Sequence, residues 1–101
     1  AERLGHRLYT GIAHRTQGVA LLLAGRPAEA VDRHSRALEV FAGLGTRWQL
    51  GRAFVARAEA HGAGRDFAAA RADYTRALEA FEAVGAQPDA ERTRQTIQHL
   101  T

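Results

Sequence analysis

The stretch HSRALEVFAGLG, His34 to Gly45, has a near-copy further along the same 101-residue chain: YTRALEAFEAVG, Tyr74 to Gly85. The two align without a gap. Phe41 falls on Phe81 and Gly45 on Gly85, forty residues apart, and the tetrapeptide RALE recurs unchanged at Arg36–Glu39 and Arg76–Glu79. Upstream, GRPAEAVDR from Gly25 falls on RDFAAARAD from Arg65, which keeps Ala28 with Ala68 and Ala30 with Ala70. The same step backwards places Leu44-Gly45-Thr46-Arg47 on Leu4-Gly5-His6-Arg7. Self-similarity with a period of about 20–50 residues is the signature of stacked units, each covering its neighbour's apolar face.

Each unit reads as two helices. Ala30, His34, Ala37, Leu38, Phe41 and Leu44 recur at steps of three and four, and Ala70, Tyr74, Ala77, Leu78, Phe81 and Val84 repeat the pattern. That is one stripe of an amphipathic helix, since a half-buried strand would alternate. Pro27 suits a first helical turn, where its missing N–H is harmless, and Gly25, Gly45 and Gly85 suit helix ends that need a positive φ. The first helix of a unit is expected from about Arg7 to Ala24, and its counterpart from Arg47 to about His61. Both are rich in Ala and Gly, small residues that let helices approach closely. Pro88 opens a last helix, with Asp89 and Glu91 near its positive end. This helix is more polar than the others, with Ala90, Ile97 and Leu100 as its apolar anchors.

The expected fold is therefore all-α: an antiparallel helix-hairpin solenoid with a forty-residue period, two complete helix pairs and a closing helix. Residues 1–5 read as the tail of a preceding repeat, 6–45 as repeat one, 46–85 as repeat two and 86–101 as the closing helix. The chain begins with Ala1 and contains no methionine, as a piece of a longer array would.

Composition narrows the function. A 46% hydrophobic chain of this length suits one small domain of modest stability. Without cysteine, disulfides and thiolate metal sites are excluded. The longest apolar run, VALLLAG, falls short of a membrane span, and the expected location is cytoplasmic. A formal charge of +3, with arginine as the sole basic residue besides histidine, permits weak attraction to nucleic acid. Acids interleave with the arginines, however. Glu29–Arg33 and Asp32–Arg36 fall at ion-pairing helical spacing, which reads as a solvated face rather than a basic patch.

No phosphate loop, nucleophile elbow or His-Glu-x-x-His pair occurs, so no catalytic, cofactor or metal residues are assigned. His34 falls at an aromatic core position and reads as a satisfied core histidine. His61 and His99 fall near helix ends, where the dipole favours them. Asp66, Asp73, Glu79 and Glu82 read as members of solvated surface stripes. Trp48 aligns with Leu8, and packing against the preceding unit is its expected role.

The small–small–aromatic–alanine register, Gly18, Ala30, His34, Ala37 and then Ala58, Ala70, Tyr74, Ala77, resembles a tetratricopeptide (TPR) array. His14 and Gln17, then Phe54 and Arg57, stand where that family carries its tryptophan and leucine. The forty-residue period exceeds the family's usual length of about 34. Longer units with this ending resemble the TPR-like tails of large bacterial ATPase-type transcriptional regulators and cyclase-type signalling proteins.

The resemblance implies a non-enzymatic interaction scaffold whose first helices line a concave groove. Carried over, the groove positions are Ile12, Arg15, Val19, Leu22 and Leu23, then Arg52, Val55, Glu59, Gly62 and Ala63, and finally Arg92, Gln95 and His99. The lysine–asparagine pair of the family's peptide clamp is replaced by Arg15 and Val19, which argues against chaperone-tail binding. The implied ligand is a partner peptide or helix. The alternatives are pairing of two copies through the apolar first-helix surface, and an α-solenoid gripping phosphates with Arg15, Arg52 and Arg92.

Overall fold

A computed structural model describes residues 2–100, and Ala1 and Thr101 lie outside it. The described chain is all-helical. Its five helices are α1 (Glu2–Leu23), α2 (Pro27–Leu44), α3 (Arg47–Ala63), α4 (Phe67–Ala83) and α5 (Gln87–Gln98). None is long and apolar enough to cross a membrane. Adjacent helices pack in pairs, α1 on α2 and α3 on α4, with looser α2–α3 and α4–α5 contacts. The body measures 44 × 32 × 17 Å. Its short dimension accommodates about two layers of helices, each about 10 Å across.

Turns recur every twenty residues. At each of the four the backbone closes the same two bonds, one reaching back three residues and one five, as in Gly45 N–H to the Ala42 carbonyl and Thr46 N–H to the Phe41 carbonyl. This is the Schellman pattern, and it places one residue in the left-handed region. Those residues are Gly25 (φ 77°), Gly45 (70°), Arg65 (67°) and Gly85 (68°). Three are glycine, which adopts the conformation freely. Arg65 is not, and its Cβ is strained there. Asp66 follows it and accepts a 3.2 Å bond from the Ala69 N–H, capping α4.

The core is built from one contact made twice. Phe41 of α2 lies over Gly11 of α1, and Phe81 of α4 lies over Gly51 of α3. A Cβ added at Gly11 would sit 2.7 Å from the Phe41 ring, and one at Gly51 2.6 Å from Phe81. Both rings are buried, and a residue larger than glycine would force the paired helices apart. Ala30, Ala37, Ala70 and Ala77 are equally buried on α2 and α4. Ala90 is buried on α5, and Ile97 of that helix and Leu100 beyond its end pack against the Tyr74 cluster. Arg71 of α4 also donates to the Leu100 carbonyl, fastening the chain end.

Three expectations are corrected. Gly5 does not end a preceding helix: α1 runs unbroken from Glu2, because one glycine costs a helix only about 1 kcal/mol among the good formers Arg3 and Leu4. Trp48 does not enter the core. It is 39% exposed, and its Nε1 donates to Asp89 Oδ2 across 3.1 Å, because α3 turns this position towards α5 and the indole N–H needs an acceptor. Asp73 is no surface residue. It is 1% exposed and sits at the centre of an ionic network.

Candidate functional site

A groove of about 480 Å³ opens on the side where α1, α3 and α5 come together, floored by Tyr74 and Phe81 of α4. Of the residues expected in it, Arg15, Val19, Arg52, Val55, Glu59 and Arg92 line it together. Three do not. Ile12 turns inward and packs with Leu8 on the Phe41 cluster. Leu22 is half-buried outside it. Gln95 bonds Glu91 along α5 at 3.3 Å. The apolar end is correspondingly smaller than the sequence suggests. Val19 remains 46% exposed in the groove, while Leu23 is 84% exposed outside it.

Sequence reasoning missed Thr16, Thr93, Thr96 and Asp89, which also line the groove. Thr96 and Asp89 lie one helical turn from Arg92, so i±3 and i+4 spacing could have found them. Tyr74 and Phe81 carry no such signal. They reach the groove only because Gly51 and Ala58 are small enough to let α4 approach α3.

The charges are organised. Arg15 Nη1 donates to Gln49 Oε1 at 2.5 Å, and its guanidinium lies 5.5 Å from the Phe41 ring centroid. Arg52 stacks over Trp48 at 5.1 Å. Desolvation in the groove, and then the charge of Arg52, hold the Arg15 guanidinium below its usual pKa. Glu59 is exposed along much of its surface, yet the surrounding walls withhold enough water to push its carboxyl upward. Tyr74 is raised by burial and then by Glu59. Arg92 lies 3.4 Å from Asp89, which also receives the Trp48 N–H.

A second polar centre lies between α2, α3 and α4. Arg57 grips Asp73 with both arms of its fork, Nε to Oδ2 at 2.7 Å and Nη2 to Oδ1 at 2.8 Å, while its Nη1 donates to Ser35 Oγ at 3.1 Å. Arg76 adds a third bond to Asp73 at 3.0 Å, and His61 Nε2 stands 3.7 Å from Oδ2. The buried carboxylate is thus enclosed by two guanidiniums and an imidazole, which is what burying it requires. Asp32 and Arg36 pair as expected at 3.6 Å, but Glu29 turns back to Arg26 at 2.6 Å instead of reaching Arg33.

His34 differs from its expectation as a satisfied core histidine. It is fully buried, and neither ring nitrogen has a hydrogen-bond partner among the described residues. The ring presses on Gly18, where an added Cβ would clash with Cε1. Burial first, then the charges of Arg15 and Arg57, lower its pKa from 6.5 to about 4, so the imidazole is neutral near pH 7. Among the described residues no three metal-ligating side chains converge. Comparison of the chain with known protein families, with curated proteins and with solved structures returns no match.

Proposed function

We propose that this chain is a non-enzymatic protein-interaction scaffold, a TPR-like helical-hairpin solenoid with a forty-residue period from a larger bacterial regulatory or signalling protein. Its ligand is a partner peptide or short helix held in the groove between α1, α3 and α5. The observation that carries this reading is the groove itself, in which Val19 and Val55 offer apolar contact beside three arginines. That combination suits an amphipathic segment with acidic flanks. The matching of Phe41 on Gly11 with Phe81 on Gly51 supports the repeat assignment.

A display selection against the chain tests the proposal. It is expected to enrich peptides combining aliphatic and acidic positions, and Val55→Ala and Arg52→Ala are expected to weaken them. Enriched peptides indifferent to both substitutions would refute groove binding.

Self-association is the second reading, favoured by Tyr9 and Leu23, which stand 71% and 84% exposed on α1. Light scattering across dilution separates the two. A dimer abolished by Leu23→Glu with peptide binding intact assigns α1 to pairing and the groove to the ligand.

A further inference from the structure

We propose that Arg15 and Arg52 together form a site for a phosphoryl dianion, carried on a phosphorylated side chain of the peptide in the groove. This rests on the groove reading above and specifies its ligand. Three guanidiniums and two carboxylates line the cavity. Arg92 is matched by Asp89. Among the described residues, neither Arg15 nor Arg52 has a carboxylate within ion-pairing distance.

Each is held by neutral groups instead. Phe41 and Gln49 fix Arg15, and Trp48 fixes Arg52. These contacts orient the two forks, and among the described residues neither is engaged in an ion pair although Glu59 shares the cavity. Orientation in advance of binding lowers the ordering cost when a ligand arrives. The groove thus gathers more guanidiniums than carboxylates, one of them partly desolvated, at a cost that a bound anion offsets.

Charge and shape select the anion. A carboxylate has two oxygens, which a single guanidinium fork occupies. A phosphate monoester carries about −1.5 to −2 charges near neutrality and three strong acceptor oxygens, enough for both forks. Val19 and Val55 line the same cavity and suit aliphatic neighbours of the phosphorylated residue. Glu59 and Asp89 oppose a polyanion laid along the groove, which favours a single phosphoryl group on a peptide over a nucleic-acid backbone.

Inorganic phosphate titrated into the intact chain, followed by arginine side-chain NMR signals, tests the site without any peptide. Arg15 and Arg52 are expected to shift together while Arg26 and Arg94 stay still. Arg52→Gln, at an exposed position and checked for helicity, is expected to weaken binding by about tenfold or more. Uniform small shifts at all arginines mean an adventitious ion only and overturn the site. A phosphoserine peptide with aliphatic flanks is expected to bind at least about tenfold tighter than its unphosphorylated and glutamate versions. Equal affinity of the three overturns the dianion assignment. If their binding still falls with Val55→Ala, the groove reading survives that failure. An oligonucleotide that binds more tightly than the phosphopeptide overturns the peptide source.

Discussion

The two helix pairs share a frame and differ in what they bury. In α1–α2 the second aromatic position is His34, lying on Gly18. In α3–α4 it is Tyr74, clustered with Ala58 and Ala70. Among the described residues the His34 nitrogens have no partner, whereas Tyr74 borders the groove. Forty residues before the buried Asp73 stands Arg33, half-buried, 3.3 Å from His14 Nδ1. Forty residues before the strained Arg65 stands the permissive Gly25. A common backbone therefore tolerates different polar solutions, provided each close approach keeps a small residue under a ring.

The largest test of this contrast is at Asp73. Asp73→Ala leaves Arg57 half-buried without its carboxylate, and a loss of about 3–5 kcal/mol is expected in urea unfolding. Arg33→Ala, at the matching position of the first pair, is expected to cost under about 1 kcal/mol. Equal losses would show that the network carries no special share of stability.

His34 makes the first pair acid-sensitive. Its folded pKa, about 4, lies below the ordinary 6.5, so folding favours the neutral ring. The associated stability is fully present above about pH 6.5 and is lost as pH falls towards 4. The loss is on the order of 3 kcal/mol, because each tenfold drop in proton affinity corresponds to about 1.4 kcal/mol. Stability measured between pH 7 and 4 is expected to fall in the parent chain and to flatten in His34→Phe. A parallel decline in both would assign the acid sensitivity to other groups.

The smallest effect concerns the turns. Arg65→Gly relieves a left-handed residue and is expected to raise stability by about 1 kcal/mol, while Gly25→Ala is expected to lower it by a similar amount. Thermal midpoints of the two variants should move in opposite directions. A drop in Arg65→Gly would mean that the Arg65 guanidinium, 5.6 Å from the Phe67 ring centroid, contributes more than the strain removes.

Much of this was legible in the chain. The apolar stripe at Ala30, Ala37 and Phe41, and its echo at Ala70, Ala77 and Phe81, marked the second helices and their buried faces. The glycines at 25, 45 and 85 located three of the four turns, and the fourth followed only from the echo of the first unit, because arginine at 65 gives no such signal. Six groove residues were reachable from the register of the first helices. Thr16, Thr93 and the α4 aromatics were not, since that register says nothing about how deeply a neighbouring helix penetrates.

By itself, then, the sequence determined the all-α class and the faces that turn inward, because helix periodicity and turn chemistry act over a few neighbouring residues. Tertiary structure alone decided that Asp73 is buried, that His34 has no hydrogen-bond partner among the described residues, that Trp48 reaches Asp89, and that Arg15 and Arg52 share a cavity. Whether a polar side chain is solvated, paired or stranded depends on which other helix closes over it, and residues distant in the chain meet only when the helices pack.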